Sequence, residues 1–592
     1  MFRNTPEIAK ALFFDDGLAW ATGDTLDDAM AKMQNALNVI NEWGPKWGIK
    51  FSTTKTKYMI FTKRDTDLER GTGKPDLSLN FYGTNIERVY EYKYLGLIFD
   101  PSLTWTKHIA SLVSRCKKPL NILKYVANKN WGADRRSLKN LYIATIQSKI
   151  NYGDFIYGSA SQSNLELLDR IQFEAVRIIT GNLDCTPRYT LEPELNILPL
   201  RHQRNFDGLK YIGRIYRLQN HPTKIDYENF YHYQFYDERN KKGAFPLPVV
   251  GKLKNLTKKF KLPIEKLEKI KLEKVNLCAK IDFPYTLKGA DKSNPEKCRF
   301  EFLEMKNTIY KDFIEIYTDG SKIENRTGCA YVVNGIAQKV RLTKYSSVFS
   351  SELYAILKSL RYIRKNANNK FVIYSDSLSA IQSIKSNRNQ TSLNIRISDI
   401  LNKMKKKTIV FEWIPSHVNI AGNELADIGA KEATRERNLY RLPLSTKEFN
   451  GIIKKKIFHK WNKEWRKDGE KFPCHLYKLK PILGDWKSSY KDNRRKEVVL
   501  SRLRTGTCRY LVQHHFKKEN LKPMNKCDQC KVTNSIEHLI LYCPKWKVFR
   551  EQIRRKLREL QLPFNICNVL GDQFDHEILY RYLRSTKYLN QI

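Results

Sequence analysis

The clearest hydrophobic pattern in the chain is a pair of strand-like runs with a helical run between them. Phe313–Asp319 and Lys370–Asp376 are rich in β-branched and aromatic residues, and each run is followed by turn residues. Between them, residues 350–366 carry apolar positions at helical spacing. The pattern predicts an α/β domain with a long helix packed on a sheet. Asp319 and Asp376 should end their strands at the carboxyl edge, where such folds place their chemistry. The apolar face of the helix is predicted to comprise Leu353, Ile356, Leu357, Leu360 and Ile363.

Further ionisable residues follow the same pattern. Glu352 falls in the first turn of the predicted helix, His417 in a loop bounded by Pro415 and Gly422, and Asp427 on a short helix after that loop. Two Mg²⁺ ions about 4 Å apart need several shared carboxylates, and a mobile histidine can carry a proton to a leaving oxygen. The sequence therefore predicts a two-metal site that cuts a phosphodiester, formed by Asp319, Glu352, Asp376, His417 and Asp427.

Each of these residues also has an ordinary explanation. An Asp at the end of a strand is most often a turn residue, and a His after Pro-Ser is most often a loop residue. Five such residues in this order, each beside a fitting element, are much rarer by accident. We therefore treat them as one constellation.

The motifs of residues 311–435 resemble those of type 1 ribonuclease H domains. The matching stretches are Tyr317-Thr-Asp-Gly-Ser321, Ser350-Ser-Glu-Leu353, Tyr374-Ser-Asp-Ser377, Trp413-Ile-Pro-Ser-His417 and Gly422-Asn-Glu-Leu-Ala-Asp427. The resemblance implies a mixed five-stranded sheet with helices and two bound Mg²⁺ ions. It also implies that His417 assists product release and that Asn423 supports the site. Asn419 stands where a glycine is expected. The implied metal ligands are Asp319, Glu352, Asp376 and Asp427.

Length and charge extend this interpretation to the whole chain. With 592 residues, the chain should hold roughly three or four domains. A formal net charge of +44, carried by 106 Lys and Arg, favours a polyanionic partner, and nucleic acid first. No apolar run has transmembrane length and no signal peptide follows Met1, so a membrane partner is not expected. The eleven cysteines are mostly scattered, which favours a reducing compartment, the nucleus or cytoplasm.

The amino-terminal region predicts a second acidic site. Leu12–Asp16 is an apolar run ending in paired acids, which is typical of a tight hairpin with Asp15 and Asp16 at its tip. The pattern then predicts a helix over Thr25–Trp43, a strand over Tyr58–Thr62 and a further strand over Tyr94–Asp100.

This order of elements, over roughly residues 10–220, resembles the end of the palm and the start of the thumb in reverse transcriptases of LINE-type (non-LTR) retrotransposons. The resemblance includes the helical stretch Trp105–Ile179 and implies that Asp15 is a metal ligand with Asp16 beside it. Such polymerases need another Asp from an earlier strand, and about a dozen residues precede the hairpin. Phe14 stands where a smaller residue is usual. We therefore treat Asp15 and Asp16 as vestigial and expect no reverse transcriptase activity from this chain alone.

A metal-binding pattern lies near the other end of the chain. Cys527, Cys530, His538 and Cys543 have the spacing C-x2-C-x7-H-x4-C. Three thiolates and one imidazole complete the tetrahedral shell of a structural Zn²⁺ ion. The alternative is a set of unrelated buried cysteines. The pattern also resembles the cysteine-histidine motif that follows the polymerase or ribonuclease H region in such retroelements, and this resemblance implies a structural zinc site that supports nucleic-acid binding.

Three further basic segments leave alternatives open. The tract Lys252–Lys274, with Leu262, Leu267 and Ile270, is either a phosphate-tracking helix or a solvated one. The arginines Arg502, Arg504 and Arg509 are either solvent-facing or functional. A stripe of four apolar and aromatic residues, spaced four positions apart, favours packing in a core over stacking on bases. That stripe is Ile453, Ile457, Trp461 and Trp465.

The predicted organisation is a partial palm (1–100), a helical thumb or connection (101–220), a basic linker region (221–310), the ribonuclease H domain (311–435) and a basic α-rich carboxyl-terminal region with the zinc motif (436–592). The predicted function is cleavage of the RNA strand of an RNA–DNA hybrid by a hydrolase that also binds RNA and DNA. The alternative is a catalytically inactive nucleic-acid-binding remnant of a retrotransposon. The presence of all four carboxylates and His417 favours the enzyme.

Overall fold

The computed structural model describes residues 8–14, 16–62, 78–219, 221–230, 248–269, 281–284, 294–386, 391–491, 493–508, 511, 526–527 and 529–592. The chain divides into two compact units. The first comprises Met1–Arg204 together with Asn462–Ile592, and the second comprises Asn205–Trp461. Within the described ranges, none of the helices is both long enough and apolar enough to cross a membrane.

The first unit starts with the predicted hairpin. Strands β1 (Ala9–Phe13) and β2 (Asp16–Trp20) pair antiparallel. Helix α1 (Leu26–Lys46) begins after Thr25, whose hydroxyl accepts a hydrogen bond from the backbone N–H of Asp28 at 3.2 Å. The helix predicted there is confirmed. The next strands are β3 (Lys57–Tyr58), β4 (Leu79–Phe81), β5 (Thr84–Arg88), β6 (Tyr92–Tyr94) and β7 (Leu97–Phe99).

Two strand predictions in this region need correction. The strand predicted over Tyr58–Thr62 covers only Lys57–Tyr58, because Tyr58 pairs with Arg88, the last residue of its partner strand. The strand predicted over Tyr94–Asp100 is instead the hairpin β6–β7. Its turn residues Leu95 and Gly96 have φ angles of 45° and 82°, which reverse the chain.

The helical stretch predicted over Trp105–Ile179 is present. A π-helical segment, Ile143–Gln147, directly follows the helix Arg135–Tyr142. Buried apolar side chains from these helices form one core, including Leu112, Leu138, Leu168 and Val176. The helices are α2 (Thr106–Val126), α3 (Arg135–Tyr142), α4 (Ser148–Asn151), α5 (Asp154–Tyr157), α6 (Gln162–Thr180), α7 (Arg188–Leu195) and α8 (Leu200–Arg217).

The basic region of the second unit is partly helical. It contains α9 (Pro222–Asn229), α10 (Val249–Phe260), a 3-10 turn (Ile264–Lys266) and α11 (Pro295–Thr308). Leu262 and Leu267 of the basic tract are buried, so these positions serve packing. Ile270 lies outside the described residues.

A mixed sheet forms the centre of the second unit. Its six strands are ordered β12-β11-β8-β9-β10-β13, with β8, β11 and β12 parallel and β8–β9–β10 an antiparallel meander. Five strands match the prediction. The sixth, β13, was not predicted; it has two residues, and its Tyr440 ring stacks on Tyr354 at 4.7 Å. The strands are β8 (Ile314–Ile323), β9 (Arg326–Val333), β10 (Ile336–Leu342), β11 (Lys370–Ser375), β12 (Thr408–Trp413) and β13 (Leu439–Tyr440).

The prediction that Asp319 ends its strand is wrong. The backbone continues to Ile323 because it remains paired with β9, where Asp319 faces Ala330. The parallel pairing with β11 does stop one residue earlier, at Thr318 opposite Ser375. Asp319 therefore lies at the edge of the parallel part of the sheet while its strand runs on into a hairpin.

Helices cover the sheet. The predicted long helix, α12, begins at Val348 after the N-cap Ser347, so Glu352 lies in the second turn rather than the first. All five residues of its predicted apolar face are buried, which confirms the helical spacing. The helices are α12 (Val348–Lys365), α13 (Leu378–Lys385), α14 (Ser392–Asn402) and α15 (Ala421–Ala433).

The carboxyl-terminal region is helical and has its own core. Ile453, Ile457, Trp461 and Trp465 are buried, which confirms packing and excludes base stacking on these tryptophans. Arg502 and Arg504 are buried rather than solvent-facing, and Arg509 lies outside the described residues. The elements are α16 (Thr446–Lys471), α17 (His475–Leu479), α18 (Arg494–Thr505), a π-helical turn (His538–Tyr542), α19 (Lys547–Glu559), α20 (Ile566–Leu570) and α21 (His576–Ser585).

Candidate active site and metal centre

Three of the predicted carboxylates meet at one point. Asp319 of β8, Glu352 of α12 and Asp376, which follows β11, each offer an oxygen, and these oxygens all lie within 4.8 Å of one another. The sheet register explains the first contact, because Thr318 pairs with Ser375 and so places the two following aspartates side by side. This group matches the sequence prediction for the centre of the site.

A glycine allows the helix carrying Glu352 to come this close. A Cβ atom at Gly320 would lie 2.5 Å from Oγ of Ser351 and 2.6 Å from the backbone nitrogen of Glu352. Contacts below 3.0 Å are not tolerated, so only glycine fits between β8 and α12. Gly320 was predicted only as one of the turn residues after Asp319, so its role in packing was not predicted.

The electrostatics of this group call for a cation. Burial, with the charges of Asp376 and Asp427, raises the pKa of Asp319 to about 7. Burial, with the charges of Asp319 and Asp376, raises the pKa of Glu352 well above its usual range. Oε2 of Glu352 is buried and accepts no hydrogen bond. Clustered carboxylates with an unsatisfied buried oxygen fit Mg²⁺, which takes oxygen ligands.

Asp427 lies in a second, adjoining group. Its carboxylate, the carboxylate of Glu424 and a ring nitrogen of His417 lie within 4.8 Å of one another. Nζ of Lys431 donates to Asp427 at 2.6 Å. Asp427 still contributes to the first group, since its charge helps to raise the pKa of Asp319. Glu424 was not predicted, although its position three residues before Asp427 puts both on one helical face.

The loop that carries His417 has an unusual backbone. His417 and Asn419 both have a φ of 59°, in the left-handed region that glycine adopts most easily. This conformation explains why a glycine is expected at position 419. Asn is the residue that replaces glycine there at least cost, because its short polar side chain tolerates this region.

Asn423 precedes Glu424 of the second group on the same helix. It is buried, and its Oδ1 has no hydrogen-bond partner among the described residues. The preceding Gly422 packs against the ring of Tyr317, where a Cβ would lie 2.3 Å from the nearest ring atom. The first turn of α15 is therefore held against β8, which positions Asn423 and Glu424 at the same edge as the carboxylates.

The four residues of the carboxyl-terminal motif also meet. Ligand atoms of Cys527, Cys530, His538 and Cys543 lie within 4.8 Å of one another. Sγ of Cys543 lies 3.8 Å from Sγ of Cys527 and 4.0 Å from that of Cys530. Among the described residues, Nε2 of His538 is buried without a hydrogen-bond partner. The π-helical turn presents His538, and its Leu539–Leu541 segment is buried.

The chemistry of these sulfur atoms fits a soft cation. Burial opposes ionisation of Cys527, but backbone N–H groups of Cys530 and Gln529 and the side chain of His538 stabilise its thiolate and lower its pKa to about 6. Burial and the neighbouring sulfur atoms of Cys527 and Cys543 raise the pKa of Cys530 to about 11. Crowded sulfur atoms beside an unsatisfied imidazole nitrogen match the donor set of structural Zn²⁺.

Only one of the two predicted amino-terminal acids lies within the described residues. Asp16 is exposed at the start of β2, opposite Phe13. Asp15 lies outside the described residues. Phe14 is 92% exposed and has a φ of 54°. Among the described strands, β1 and β2 pair only with each other.

Comparison with known proteins agrees with the geometry of the sheet and its carboxylates. Residues 311–435 match the ribonuclease H family model. These residues form a ribonuclease H domain. The match covers the three grouped carboxylates, His417 and Asp427, so the resemblance predicted from the motifs is confirmed for this part of the chain.

Relatives of this chain carry the names of mobile-element polymerases and polyproteins. It is 25% identical over 227 residues to "RNA-directed DNA polymerase from mobile element jockey" of Drosophila funebris, covering 37% of this chain and 23% of the relative. It is 26% identical over 211 residues to "Probable RNA-directed DNA polymerase from transposon BS" of Drosophila melanogaster, covering 35% and 22%. It is 21% identical over 202 residues to a "Retrovirus-related Pol polyprotein from type-1 retrotransposable element R1 2" of Nasonia vitripennis, covering 31% and 49%.

These matches confirm the resemblance to LINE-type retrotransposon polymerases. The chain matches less than a quarter of the Drosophila relatives' length and about half of the Nasonia relative's.

Proposed function

We propose that the protein is an endoribonuclease that cuts the RNA strand of an RNA–DNA hybrid by two-metal catalysis. The observation that carries the proposal is the group of Asp319, Glu352 and Asp376, whose oxygens lie within 4.8 Å of one another inside the ribonuclease H domain. Carboxylates this close repel one another when ionised, and bound cations would relieve that repulsion.

Each residue has a role in this proposal. Asp319, Glu352, Asp376 and Asp427 would hold two Mg²⁺ ions, which would supply activation of the attacking water and stabilisation of the departing 3′ oxygen. His417, exposed in its loop beside Asp427 and Glu424, carries a proton to that oxygen. Glu424, whose carboxylate lies within 4.8 Å of a ring nitrogen of His417, orients the imidazole. Asn423 supports the position of α15.

The decisive experiment is cleavage of a labelled RNA–DNA hybrid by the full chain. We expect Mg²⁺-dependent cleavage of the RNA strand, and a loss of at least a hundredfold in Asp376→Asn with an unchanged circular dichroism spectrum. Asp399→Asn is the matched control, because Asp399 is an exposed carboxylate of the same domain that pairs with Lys403 at 2.9 Å. Cleavage by Asp376→Asn at the rate of the control would refute the assignment.

The second candidate function is an inactive nucleic-acid-binding remnant. The net charge of +44 favours it as much as it favours the enzyme, because binding needs no metal. A folded wild-type protein that binds the hybrid in Mg²⁺ but leaves its RNA strand intact would establish this alternative.

We also propose that Cys527, Cys530, His538 and Cys543 bind one structural Zn²⁺ that supports nucleic-acid binding. Purified protein should contain one equivalent of zinc by mass spectrometry, and Cys543→Ser should lose it together with thermal stability. Cys567→Ser is the control, because this cysteine is exposed and lies outside the cluster. Equal zinc content in the two variants would exclude the site.

For the amino-terminal part, the proposal follows the mobile-element relatives. Residues 1–100 represent part of a palm and residues 101–220 a helical thumb, with Asp15 and Asp16 as vestigial polymerase residues. The hairpin β1–β2 and the helices α2–α6 support this interpretation. A primer-extension assay on the full chain tests it, and incorporation of nucleotides would overturn the expectation of no polymerase activity.

A further inference from the structure

A basic cavity lies on the ribonuclease H domain away from its carboxylates. It has a volume of about 630 Å³ and is lined mainly by the second half of α12, by α14 and by a tyrosine of β9. From Glu352, the helix rises about 14 Å to the first arginine of the cavity and about 20 Å to its last lysine. The cations that line it are Lys358, Arg361, Arg364, Lys365 and Arg396.

Within the described parts of the chain, none of these five cations lies within ion-pairing distance of a carboxylate. Asp399, the acid that lines the cavity, is bonded to Lys403 at 2.9 Å. Lys358, Arg361 and Arg396 are half-buried. Arg396 also hydrogen-bonds the side chain of Tyr440. A partly desolvated cation without a counter-charge is unfavourable, and a bound anion removes that cost.

The position of these residues on α12 does not account for the cluster by itself. The helix dipole favours cations in the last turn, which explains Arg364 and Lys365. It does not explain Arg361 and Lys358, which lie one and two turns earlier, nor Arg396 from another helix. The five charges therefore converge on the cavity from two helices.

One wall of the cavity is aromatic. The rings of Tyr331 and Tyr362 lie 6.3 Å apart between centroids and are tilted by 45°. Both side chains are half-buried, so part of each ring faces the cavity. Cations that follow a backbone, combined with aromatic rings that accept bases, are the means by which proteins bind single-stranded nucleic acid.

We propose that this cavity binds the phosphate backbone of single-stranded nucleic acid, at a site separate from the catalytic carboxylates. Along α12 the cations from Lys358 to Lys365 extend about 10 Å, enough for more than one phosphate group. The guanidinium groups bind phosphate oxygens in pairs, and the two tyrosines contact a base. The proposal does not depend on cleavage, because binding at this site requires none of the carboxylates.

The test measures binding of a fluorescent single-stranded RNA by the full chain in EDTA, where hydrolysis cannot occur. We compare Arg361→Ala/Arg364→Ala with Lys405→Ala/Lys406→Ala, a pair that removes the same charge from exposed positions of the same domain. The arginine pair should raise Kd about tenfold more than the lysine pair. It should also reduce the slope of log K against log salt by about 1.4, as expected for two lost phosphate contacts on a single strand.

Two further arms distinguish the source of the phosphate. Ultraviolet crosslinking of 4-thiouridine RNA should label the peptides containing Tyr331 or Tyr362, and Arg361→Ala/Arg364→Ala should remove the label. Inorganic phosphate at millimolar concentration should not compete. Equal Kd values for the two pairs, or protection of the site by inorganic phosphate without crosslinking to RNA, would overturn the proposal. A failure of hybrid cleavage would leave this result unaffected, so the two proposals fail independently.

Discussion

The backbone conformation of two residues determines the path of the loop that carries His417 in the ribonuclease H domain. His417 and Asn419 both have a φ of 59°, and Val418 and Ile420 beside them are buried. The buried neighbours fix the loop, so its residues cannot relax to a negative φ. The left-handed conformation costs most residues roughly 1–2 kcal/mol, and Asn and Gly pay least.

Substitutions at Asn419 should therefore follow backbone preference rather than polarity. Asn419→Gly should leave the free energy of unfolding unchanged within about 0.5 kcal/mol, whereas Asn419→Val should lower it by about 1–2 kcal/mol. Chemical denaturation of both variants measures this. Asn438→Val, at an exposed position without a positive φ, is the control. An equal loss for Gly and Val would show that the Asn side chain, not the backbone, matters.

At the same scale, residue type and spacing predicted most of the site. Asp319, Glu352 and Asp376 meet as expected, because the place of each acid in or beside a strand or helix is visible in a short window of sequence. Glu424 and Gly320 were missed for a physical reason. Glu424 acts on the His417 loop, whose path depends on buried neighbours. Gly320 acts through the contact between a strand and a helix, which sequence spacing does not reveal.

At the scale of elements, the site depends on how closely a helix approaches a strand. Gly320 lies in the hairpin half of β8, and the amino-terminal turns of α12 pack directly on it. The approach brings the backbone nitrogen of Glu352 within 2.6 Å of where a Cβ would stand. The separation of Asp319 and Glu352 is thus set by the absence of a side chain.

Gly320→Ala should separate these two elements. The methyl group would displace α12, so we expect hybrid cleavage to fall by at least tenfold and the free energy of unfolding to fall by about 1–3 kcal/mol. Steady-state cleavage and thermal unfolding measure the two effects. Gly451→Ala is a control in α16, because no atom lies within 4 Å of the added Cβ and alanine favours a helix. Normal cleavage by Gly320→Ala would contradict this account.

Another contact between elements makes stability depend on pH. His202 of α8 and Arg201 bond to Glu464 of α16 at 2.7 and 3.1 Å. Burial opposes ionisation of Glu464, but these bonds outweigh it and lower its pKa to about 2. A lowered pKa in the folded state means that the ionised carboxylate stabilises the protein above about pH 4.5. This stabilisation is lost as the pH falls towards 2.

Glu464→Gln should remove that dependence. The wild type should be more stable than the variant at pH 6 by about 1 kcal/mol. The difference is this small because Glu464 is a third exposed, so solvent screens its charge. The difference should shrink steadily between pH 4.5 and 2. Urea denaturation at several pH values measures it, and a difference that stays constant over this range would refute the role of the carboxylate.

Elements that depend on distant partners were the ones that sequence patterns described poorly. The spacing of α12 and the alternation of β8 and β11 are visible in short windows, and these elements were predicted. The strand over Tyr58–Thr62 was predicted too long because its length is set by where β5 ends. The strand β13 was missed because two residues carry no periodic signal and are held by the Tyr354–Tyr440 stack.

At the scale of the whole molecule, the first unit is built from two distant stretches of sequence. Arg494 of α18 donates to the carbonyl oxygens of Ile178 and Ile179 at the end of α6, at 2.9 and 2.7 Å. Glu497 accepts from the backbone N–H of Arg135 at 2.7 Å. The predicted organisation assigns α6 to a thumb and α18 to the carboxyl-terminal region with the zinc motif, and these buried contacts hold the two helices together.

Removing one of these buried charges should destabilise the first unit. Arg494→Met removes hydrogen bonds to three acceptors and leaves the buried carboxylate of Glu497 without this cation, so it should lower the free energy of unfolding of this unit by about 3–5 kcal/mol. Arg581→Met, at an exposed position of α21, should change it by less than about 0.5 kcal/mol. Thermal unfolding with limited proteolysis of the α6 segment measures both, and equal stability of the two variants would show that the joint is not structural.

The discontinuity of the first unit sets an order in time. A ribosome adds roughly 5–20 residues per second, so the segment Asn205–Trp461 takes roughly 10–50 s to appear after helices α2–α7 have left the exit tunnel. During that delay Ile178 and Ile179 lack the arginine that caps them, and the apolar residues that α18 covers stay accessible. Helices α2–α7 are thus synthesised early but gain their contacts with α18 late, and they stay accessible to chaperones and proteases during that time.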